Sequence, residues 1–207
     1  MLKTDKVCKK CRRAGQKLFL KGEKCLSPKC PLTRRNYPPG QHGQIPQRAT
    51  EYAKQLREKQ KAALIYGVSG RQFQVYYQKA LQERGMTDLA LMRFLEQRLD
   101  NVITRLGFVS SRRQAKAVIR DKHILVNGKR VISPSYQVKN KDEISVKIQN
   151  QKKSPFLDIK ESLKKVRTPN WLKLDPAKFT GQVLKKPERS QIDTSIDEHL
   201  ILEYFAR

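Results

Sequence analysis

The sequence predicts an α+β protein that is mainly helical, with a small helix-and-hairpin unit in its middle and a cysteine-rich N-terminal segment. Three observations support this fold class. Apolar residues recur at helical spacing between capping residues and glycines from position 50 to 120, apolar residues alternate beside Asn127-Gly128, and all four cysteines lie within residues 8–30. The 207 residues suffice for one or two domains with hydrophobic cores.

The cysteines form two pairs, C-x2-C and C-x4-C, separated by thirteen residues: Cys8, Cys11, Cys25 and Cys30. Two thiolate pairs on separate turns close a tetrahedral zinc site, whose bonds stabilise a segment too short to build its own core. We therefore expect one structural zinc ion with these four ligands. An iron–sulfur cluster, which uses the same ligands, is one alternative, and a redox pair or four unrelated buried thiols is another.

The next elements are punctuated by proline, glycine and capping residues. Residues 31–49 are rich in proline and glycine and predict an extended connector. A helix follows from Thr50 to a stop at Gly67, and a second helix runs from the cap Ser69 to the stop at Gly85.

A third helix begins near Thr87 and carries apolar residues as far as Leu99. Asp100-Asn101 either ends this helix or begins the next segment, which Gly107 closes. The stretch around Asp100 is similar to that around the catalytic aspartate of some RNA pseudouridine synthases. Because the chain has no room for their catalytic domain, we expect Asp100 to cap a helix or to pair with Arg98 or Arg105.

The middle of the chain predicts a basic helix followed by a β-hairpin. Ser110 and Ser111 precede the helix, and Asn127-Gly128 forms the turn of the hairpin. Four cations have the three- and four-residue spacing of one helix face: Arg112, Arg113, Lys116 and Arg120. Four further residues flank the hairpin and extend this basic surface: Lys122, His123, Lys129 and Arg130.

The last part of the chain predicts a strand over residues 144–148, then a polar linker or the start of a helix over 149–160. Ile159 to Val166 predicts a short basic helix that Pro169 ends, and the apolar tail from Ile196 to Phe205 is expected to pack.

The charge of the chain points to a polyanionic partner. The net charge is +26, of which residues 1–50 contribute +11 and residues 101–150 contribute +8. Two positive regions suit two contacts with one large nucleic acid, and their rigid helical setting favours folded RNA. No apolar run is long enough to span a membrane and no secretory signal is evident, so we expect a cytosolic or organelle-matrix protein with reduced thiols.

Taken together, these segments resemble those of the bacterial small-subunit ribosomal protein four family, over essentially the full length of the chain. Two regions carry the resemblance in the middle, Arg98-Leu99-Asp100 and Val126-Asn127-Gly128, which match the RNA-binding domain named after that family. Flanking segments are similar to the ribosomal branch itself, notably 39–43, 55–61, 169–172 and 198–203. Lys122 departs from the wider domain pattern, which places a helix-stopping glycine there; lysine adds a cation but must adopt an awkward backbone conformation.

The resemblance implies a fold and a domain division. It implies a zinc-binding segment over residues 1–45, a helical rRNA-binding domain over 46–94, an inserted RNA-binding domain over 95–169, and a tail over 170–207 that packs back onto the discontinuous helical domain.

The resemblance also implies a function without catalysis. It implies a structural protein of the small ribosomal subunit that binds the 5′ domain of its rRNA, nucleates assembly of the subunit body and influences translational accuracy with the fifth and twelfth small-subunit proteins. It further implies contact with the fifth protein, a place near the mRNA entry channel, repression of its own messenger in some bacteria, and a cytoplasmic ribosome, with an organellar ribosome as the alternative. The competing functions are an RNA-modifying enzyme and a zinc-containing mRNA- or DNA-binding repressor.

The residues that we expect to contact RNA are mostly cations of the two positive regions. They are Arg12, Arg13, Arg34, Arg35, His42, Arg48, Lys54, Arg57, Lys59, Lys61, Arg71, Arg98, Arg105, Ser110, Ser111, Arg112, Arg113, Gln114, Lys116, Arg120, Lys122, His123, Asn127 and Lys129.

Overall fold

The structure of the protein, a computed structural model, describes residues 7–45, 48–147, 156, 163 and 166–207. It is α+β, and the chain forms two compact units. Unit 1 is Met1–Phe73 with Ser195–Arg207, and unit 2 is Gln74–Thr194.

Unit 1 is helical in its described part. It contains α1 (Val7–Ala14), a 3-10 turn (Gly22–Cys25), α2 (Pro31–Arg34), α3 (Glu51–Ile65), the start of α4 (Gly70–Gln82) and the C-terminal α8 (Glu198–Ala206). Helix α3 begins where the sequence predicts, because the Thr50 side chain accepts a hydrogen bond from the backbone N–H of Ala53.

Helix α8 packs on α3 within unit 1. The Gln55 amide donates to the Glu203 carboxylate at 2.8 Å, and the Lys61 ammonium donates to the Ser195 carbonyl at 2.5 Å. The Phe205 ring stacks on the Phe73 ring with their centroids 6.1 Å apart. These contacts fix the tail although it lies more than 130 residues from α3 in sequence.

In its described part, unit 2 combines the rest of α4, from Gln74 onwards, and three further helices with a five-stranded antiparallel sheet. The further helices are α5 (Thr87–Glu96), α6 (Leu99–Arg105) and α7 (Arg112–Arg120). The strands are β1 (Ile124–Val126), β2 (Lys129–Arg130), β3 (Glu143–Val146), β4 (Leu172–Asp175) and β5 (Thr180–Val183), in the order β2-β1-β3-β5-β4. Strands β1 and β2 form the predicted hairpin, with Asn127 and Gly128 both at positive φ in the turn.

The core of unit 2 lies between the sheet and helices α6 and α7. Fully buried side chains include Ile103, Leu106, Ile119, Ile144 and Trp171. Gly181 of β5 permits the closest approach, since a Cβ at this position would lie 2.5 Å from Leu106 Cδ1. Packing of this density holds α6 and α7 rigidly against the sheet.

The compact units divide the chain elsewhere than at the predicted boundaries between residues 94 and 95 and between 169 and 170. Residues 74–94 lie in unit 2, where the Tyr76 hydroxyl accepts a hydrogen bond from Arg98 and Arg93 donates one to the Pro187 carbonyl. The predicted tail is split, since β4 and β5 complete the sheet of unit 2 whereas α8 packs in unit 1.

Two predicted segments, the 149–160 linker and most of the Ile159–Val166 helix, lie outside the described residues. Three residues are described there: Phe156 and Leu163 are helical and buried in the core of unit 2, and Val166 is half-buried and not helical.

Candidate nucleic-acid interface

Helix α7 has a buried apolar side and an exposed basic side. Ala115, Val118 and Ile119 are buried in the core of unit 2, while Arg113 and Arg120 are exposed. These two arginines lie seven residues apart, so they point in nearly the same direction from the helix, about 10 Å apart along its axis. The sequence predicts a basic face on this helix, and these two cations form its exposed part.

The other two predicted cations of the face, Arg112 and Lys116, turn towards α6. The Nε of Arg112 donates a 2.7 Å hydrogen bond to the side-chain oxygen of Asn101. The ammonium of Lys116 lies 3.6 Å from the Asp100 carboxylate. Burial lowers the pKa of Lys116, although the charge of Asp100 acts in the opposite direction. Both side chains therefore fasten α7 to α6.

The Asp100 carboxylate is fully buried and pairs with Arg98. The guanidinium of Arg98 donates two hydrogen bonds to it, at 3.0 and 2.8 Å, and a third to the Tyr76 hydroxyl at 2.6 Å. Burial acts to lower the pKa of Arg98, but its hydrogen bonds to Asp100 and the charge of Asp100 outweigh burial, so the pKa is raised. The expectation that Asp100 pairs with Arg98 is confirmed. Arg98, predicted to contact RNA, is itself buried and engaged within the unit.

Glu96 forms a second buried carboxylate centre beside the first. Arg105 donates to it from Nε at 3.2 Å and from Nη2 at 2.9 Å, and the Asn101 amide donates to it at 2.6 Å. Because Asn101 also accepts from Arg112, a continuous hydrogen-bonded chain links Glu96 to α7. Sequence reasoning missed Glu96 and Asn101, because Glu96 and Arg105 are nine positions apart and no helical or strand spacing reveals the pair.

The N-terminus of α7 is closed by the serines and the glutamine that we expected to contact RNA. The Ser111 hydroxyl accepts a hydrogen bond from the Gln114 backbone N–H. The Gln114 side-chain oxygen in turn accepts from both the backbone N–H and the hydroxyl of Ser110. This reciprocal cap satisfies donors that the first turn of a helix leaves open.

Lys122 ends α7 in the left-handed conformation, with φ of 60°. Its N–H donates to the Ile119 carbonyl, and the N–H of His123 donates to the Val118 carbonyl, which is the hydrogen-bond pattern of a Schellman motif. The awkward backbone expected for lysine here is confirmed. Lys122 is exposed, so the strain, of the order of 1 kcal/mol, accompanies a cation held at the helix terminus.

The hairpin adds further cations. Lys129 and Arg130 are exposed on the edge strand β2, whereas His123 is half-buried with its ring edge-to-face against Phe156. Asn127 serves the turn, since its side chain donates to Asp142 and accepts from the Glu143 N–H, both at 2.8 Å. We call the exposed set the α7–hairpin cations: Arg113, Arg120, Lys122, Lys129 and Arg130.

Unit 1 presents a second group of cations. The residues exposed there are Arg13, Arg34, Arg35, Arg48, Lys54 and Arg57, together with His42, and Arg71 is exposed at the start of α4. Three of the predicted contacts have internal partners instead: Arg12 donates to the Tyr37 and Pro38 carbonyls, the Lys59 ammonium lies 4.3 Å from the Tyr204 ring centre, and buried Lys61 pairs with Glu58.

The four cysteines lie in unit 1 with free thiols, and three of them are buried: Cys11, Cys25 and Cys30. Burial raises the pKa of the Cys11 thiol, although a hydrogen bond with the Leu18 backbone acts in the opposite direction. The Lys21 N–H donates to Cys25 Sγ at 3.4 Å, a contact that suits a thiolate. Within the described ranges, no three histidine, cysteine or acidic side chains are close enough together to hold a metal ion.

The described helices include none that is both long and apolar enough to cross a lipid bilayer.

Two family models match consecutive parts of the chain. The model described as "Ribosomal protein S4/S9 N-terminal domain" matches residues 3–96, and the model described as "S4 domain" matches residues 97–144. The second match contains α6, α7 and the hairpin, so the α7–hairpin cations all lie within it.

Full-length relatives give the same result. The chain is 46% identical over 202 residues to small ribosomal subunit protein uS4 of Natranaerobius thermophilus, covering 97% of each chain. It is 45% identical over 204 residues to small ribosomal subunit protein uS4A of Symbiobacterium thermophilum, and 46% identical over 205 residues to uS4 of Syntrophomonas wolfei, covering 99% of this chain and 98% of the relative in both cases.

Proposed function

The chain belongs to the uS4 family of small ribosomal subunit proteins, a family of structural proteins and not of enzymes, and we propose that it binds the 5′ domain of small-subunit rRNA directly and nucleates assembly of the subunit body. The observation that carries this proposal is the anchoring of α7. Its exposed arginines project from a helix that two buried carboxylate centres, Asp100 and Glu96, fasten to α6.

Preorganised cations favour folded RNA over a flexible polyanion. Arg113 and Arg120 stand on a rigid helix, so little conformational freedom is lost when they meet phosphates. The guanidinium group donates in a planar fork that matches two phosphate oxygens. An A-form duplex offers phosphates and 2′-hydroxyls at fixed positions, whereas its deep major groove hides the base edges. This chemistry supports recognition of RNA shape.

The exposed cations of unit 1 supply the second contact in this proposal. Two positive units on one chain suit an RNA junction, where several helices bring their phosphates together. Release of counterions at both contacts makes association strong at low salt.

We further propose that the four cysteines hold one zinc ion. Their spacing in two pairs, their soft thiol groups and the N–H donated to Cys25 support a tetrahedral zinc–thiolate site, and an iron–sulfur cluster is the alternative with the same ligands. When bound, zinc supplies a structural cross-link. The exposed Arg13, two residues after Cys11 on α1, then connects that link to RNA.

The remaining parts of the proposal rest on family membership. They are contact with the fifth small-subunit protein, a shared influence with the fifth and twelfth proteins on translational accuracy, a position near the mRNA entry channel, a cytoplasmic ribosome and repression of the chain's own messenger.

A sedimentation experiment tests the assembly role. Purified full-length protein is mixed with small-subunit rRNA and centrifuged through a sucrose gradient, beside a variant in which Arg113 and Arg120 are both replaced by glutamate. We expect the unaltered protein to travel with the rRNA at near-stoichiometric amounts and the variant to remain largely at the top. The same gradient is run with an unrelated RNA of equal length. If that RNA carries the unaltered protein and the variant equally well, and as well as the rRNA does, the proposal is contradicted.

A further inference from the structure

Unit 1 contains a groove of about 250 Å³ between the end of α1 and the middle of α3. Arg12 and Arg13 line it from α1, and Arg57, Glu58 and Lys61 line it from α3. These residues are about 45 positions apart in sequence, so the fold alone brings them to one opening.

The groove retains an excess of positive charge after its internal contacts are counted. Its one carboxylate, Glu58, is paired with Lys61 and also accepts a hydrogen bond from the Asp197 N–H. Among the described residues, the hydrogen-bond partners of Arg12 are the neutral carbonyls of Tyr37 and Pro38, which leave its charge in place. The C-terminal end of α1 contributes a partial negative charge of about half a unit, which the cations outweigh.

Arg13 and Arg57 differ from the other cations of the groove. Both are exposed, and neither makes an ion pair or a side-chain hydrogen bond with any residue in the described ranges. Arg12, by contrast, is fixed by its two carbonyl contacts and by the Tyr37 ring, whose centre lies 4.9 Å from the guanidinium carbon. Two exposed guanidinium groups from different helices, with a third cation lining the same groove, suit one small dianion or monoanion.

We propose that this groove binds a single phosphate group of an RNA backbone, held between Arg13 and Arg57. The inference rests on the proposed rRNA binding and adds the chemistry of one contact within it. A phosphodiester matches the site because each guanidinium fork donates to two phosphate oxygens. The Asn36 side chain, which also lines the groove, provides an uncharged polar neighbour for the adjoining sugar or base.

A matched set of charge removals tests the contact. The groove variant carries R13Q and R57Q, and the control carries K79Q and R84Q, which remove two equally exposed cations outside the groove and outside every contact proposed above. Thermal melting of each full-length variant checks that it is folded. We expect the groove variant to bind the rRNA 5′ domain about tenfold more weakly, with the slope of log affinity against log salt reduced by about one. In the control, both the affinity and the slope should change much less than in the groove variant.

A second measurement uses inorganic phosphate as the probe and separates a free-anion site from an RNA contact. Titration of the unaltered protein, followed by NMR of the arginine Nε–H groups, should shift the signals of Arg13 and Arg57 together and saturate. In the R57Q single variant the Arg13 shift should be much smaller.

The outcomes distinguish this inference from the proposed function. If the unaltered protein prefers the rRNA domain but the groove variant binds it like the control, the groove inference is wrong and the proposed function stands. If rRNA preference is absent in the unaltered protein, the proposed function fails, and so does the RNA contact. Saturable phosphate shifts without any loss of rRNA affinity would identify a free-anion site and overturn the proposal.

Discussion

The Nε of Arg112 donates a 2.7 Å hydrogen bond to the side-chain oxygen of Asn101, which is itself fully buried. Asn101 donates in turn to the Glu96 carboxylate at 2.6 Å. A basic residue on the first turn of α7 is therefore anchored to a buried acid on α5, through an amide on α6. This anchoring divides the cations of α7 into two that fix the helix and two that face solvent.

The division predicts different consequences for neighbouring arginines. Replacing exposed Arg113 and Arg120 by glutamine should weaken rRNA binding by about tenfold or more and leave the unfolding free energy within about 0.5 kcal/mol. Replacing Arg112 by glutamine should lower the unfolding free energy by about 1–3 kcal/mol, because it leaves the Asn101 oxygen without its donor. Urea unfolding and mobility-shift titration measure the two quantities; equal destabilisation by both variants would contradict the division.

The Asp100–Arg98 pair predicts a large effect from a small chemical change. In D100N the Arg98 guanidinium stays buried without a compensating charge, so the unfolding free energy should fall by about 3–5 kcal/mol. The matched control is E51Q, which breaks the exposed Lys54–Glu51 pair and should cost at most about 1 kcal/mol. Urea denaturation midpoints compare the two, and similar midpoints would show that the buried pair is not a stabilising centre.

Local features of the fold could be predicted from sequence, because they depend on residues a few positions apart. The Thr50 cap, the Asn127-Gly128 turn and the strained Lys122 terminus each depend on such close neighbours, and each occurs as predicted. The alternation that predicts a strand over residues 144–148 corresponds to β3.

Features that depend on distant partners were missed. Strands β4 and β5 are four residues each, and β5 includes Gly181, so their sequence carries little strand preference; pairing with β3 makes them strands. The basic face of α7 was predicted as one surface, since helical spacing cannot show that Asn101 and Asp100 draw Arg112 and Lys116 inwards. The charge of Arg98 likewise suggested RNA contact, but sequence spacing cannot show that Arg98 is buried and paired with the Asp100 carboxylate.

The lowered pKa of Tyr204 on α8 predicts that the stability of the packing of α8 on α3 depends on pH. Its hydrogen bond with Lys59, and a second with Tyr52, lower the pKa of Tyr204 below the ordinary tyrosine value of about 10. Its contribution to stability is therefore present above that ordinary value and is lost as the pH falls through the lowered folded-state pKa.

Alkaline titration followed by absorbance near 295 nm measures this ionisation. One tyrosine should ionise ahead of the rest in the folded protein, and K59M should move that step upwards. Y136F, a change in unit 2, is the control and should leave the early step in place. If K59M leaves the titration curve unaltered, the Tyr204–Lys59 contact does not exist in solution.

The two cysteine pairs, C-x2-C and C-x4-C, predict one zinc ion per chain. Elemental analysis of protein purified without added metal should find it, and C11S should reduce the zinc content sharply. Removal by a chelator should increase hydrogen exchange in residues 7–45 and leave exchange in β1 and β3 unchanged, because those strands belong to the other unit. Iron with visible absorption near 400 nm would favour the cluster alternative, and the absence of any bound metal would contradict the zinc proposal.

Affinity for the rRNA 5′ domain, compared with an unrelated folded RNA of equal length across a salt series, tests the central claim most directly. Counterion release alone weakens binding to both RNAs equally as salt rises, because it is indifferent to sequence and shape. The account predicts that affinity for the rRNA domain remains much the higher of the two at and above roughly physiological ionic strength, about 0.15 M salt. Parallel curves of equal affinity would contradict it and leave only a basic protein that adheres to RNA.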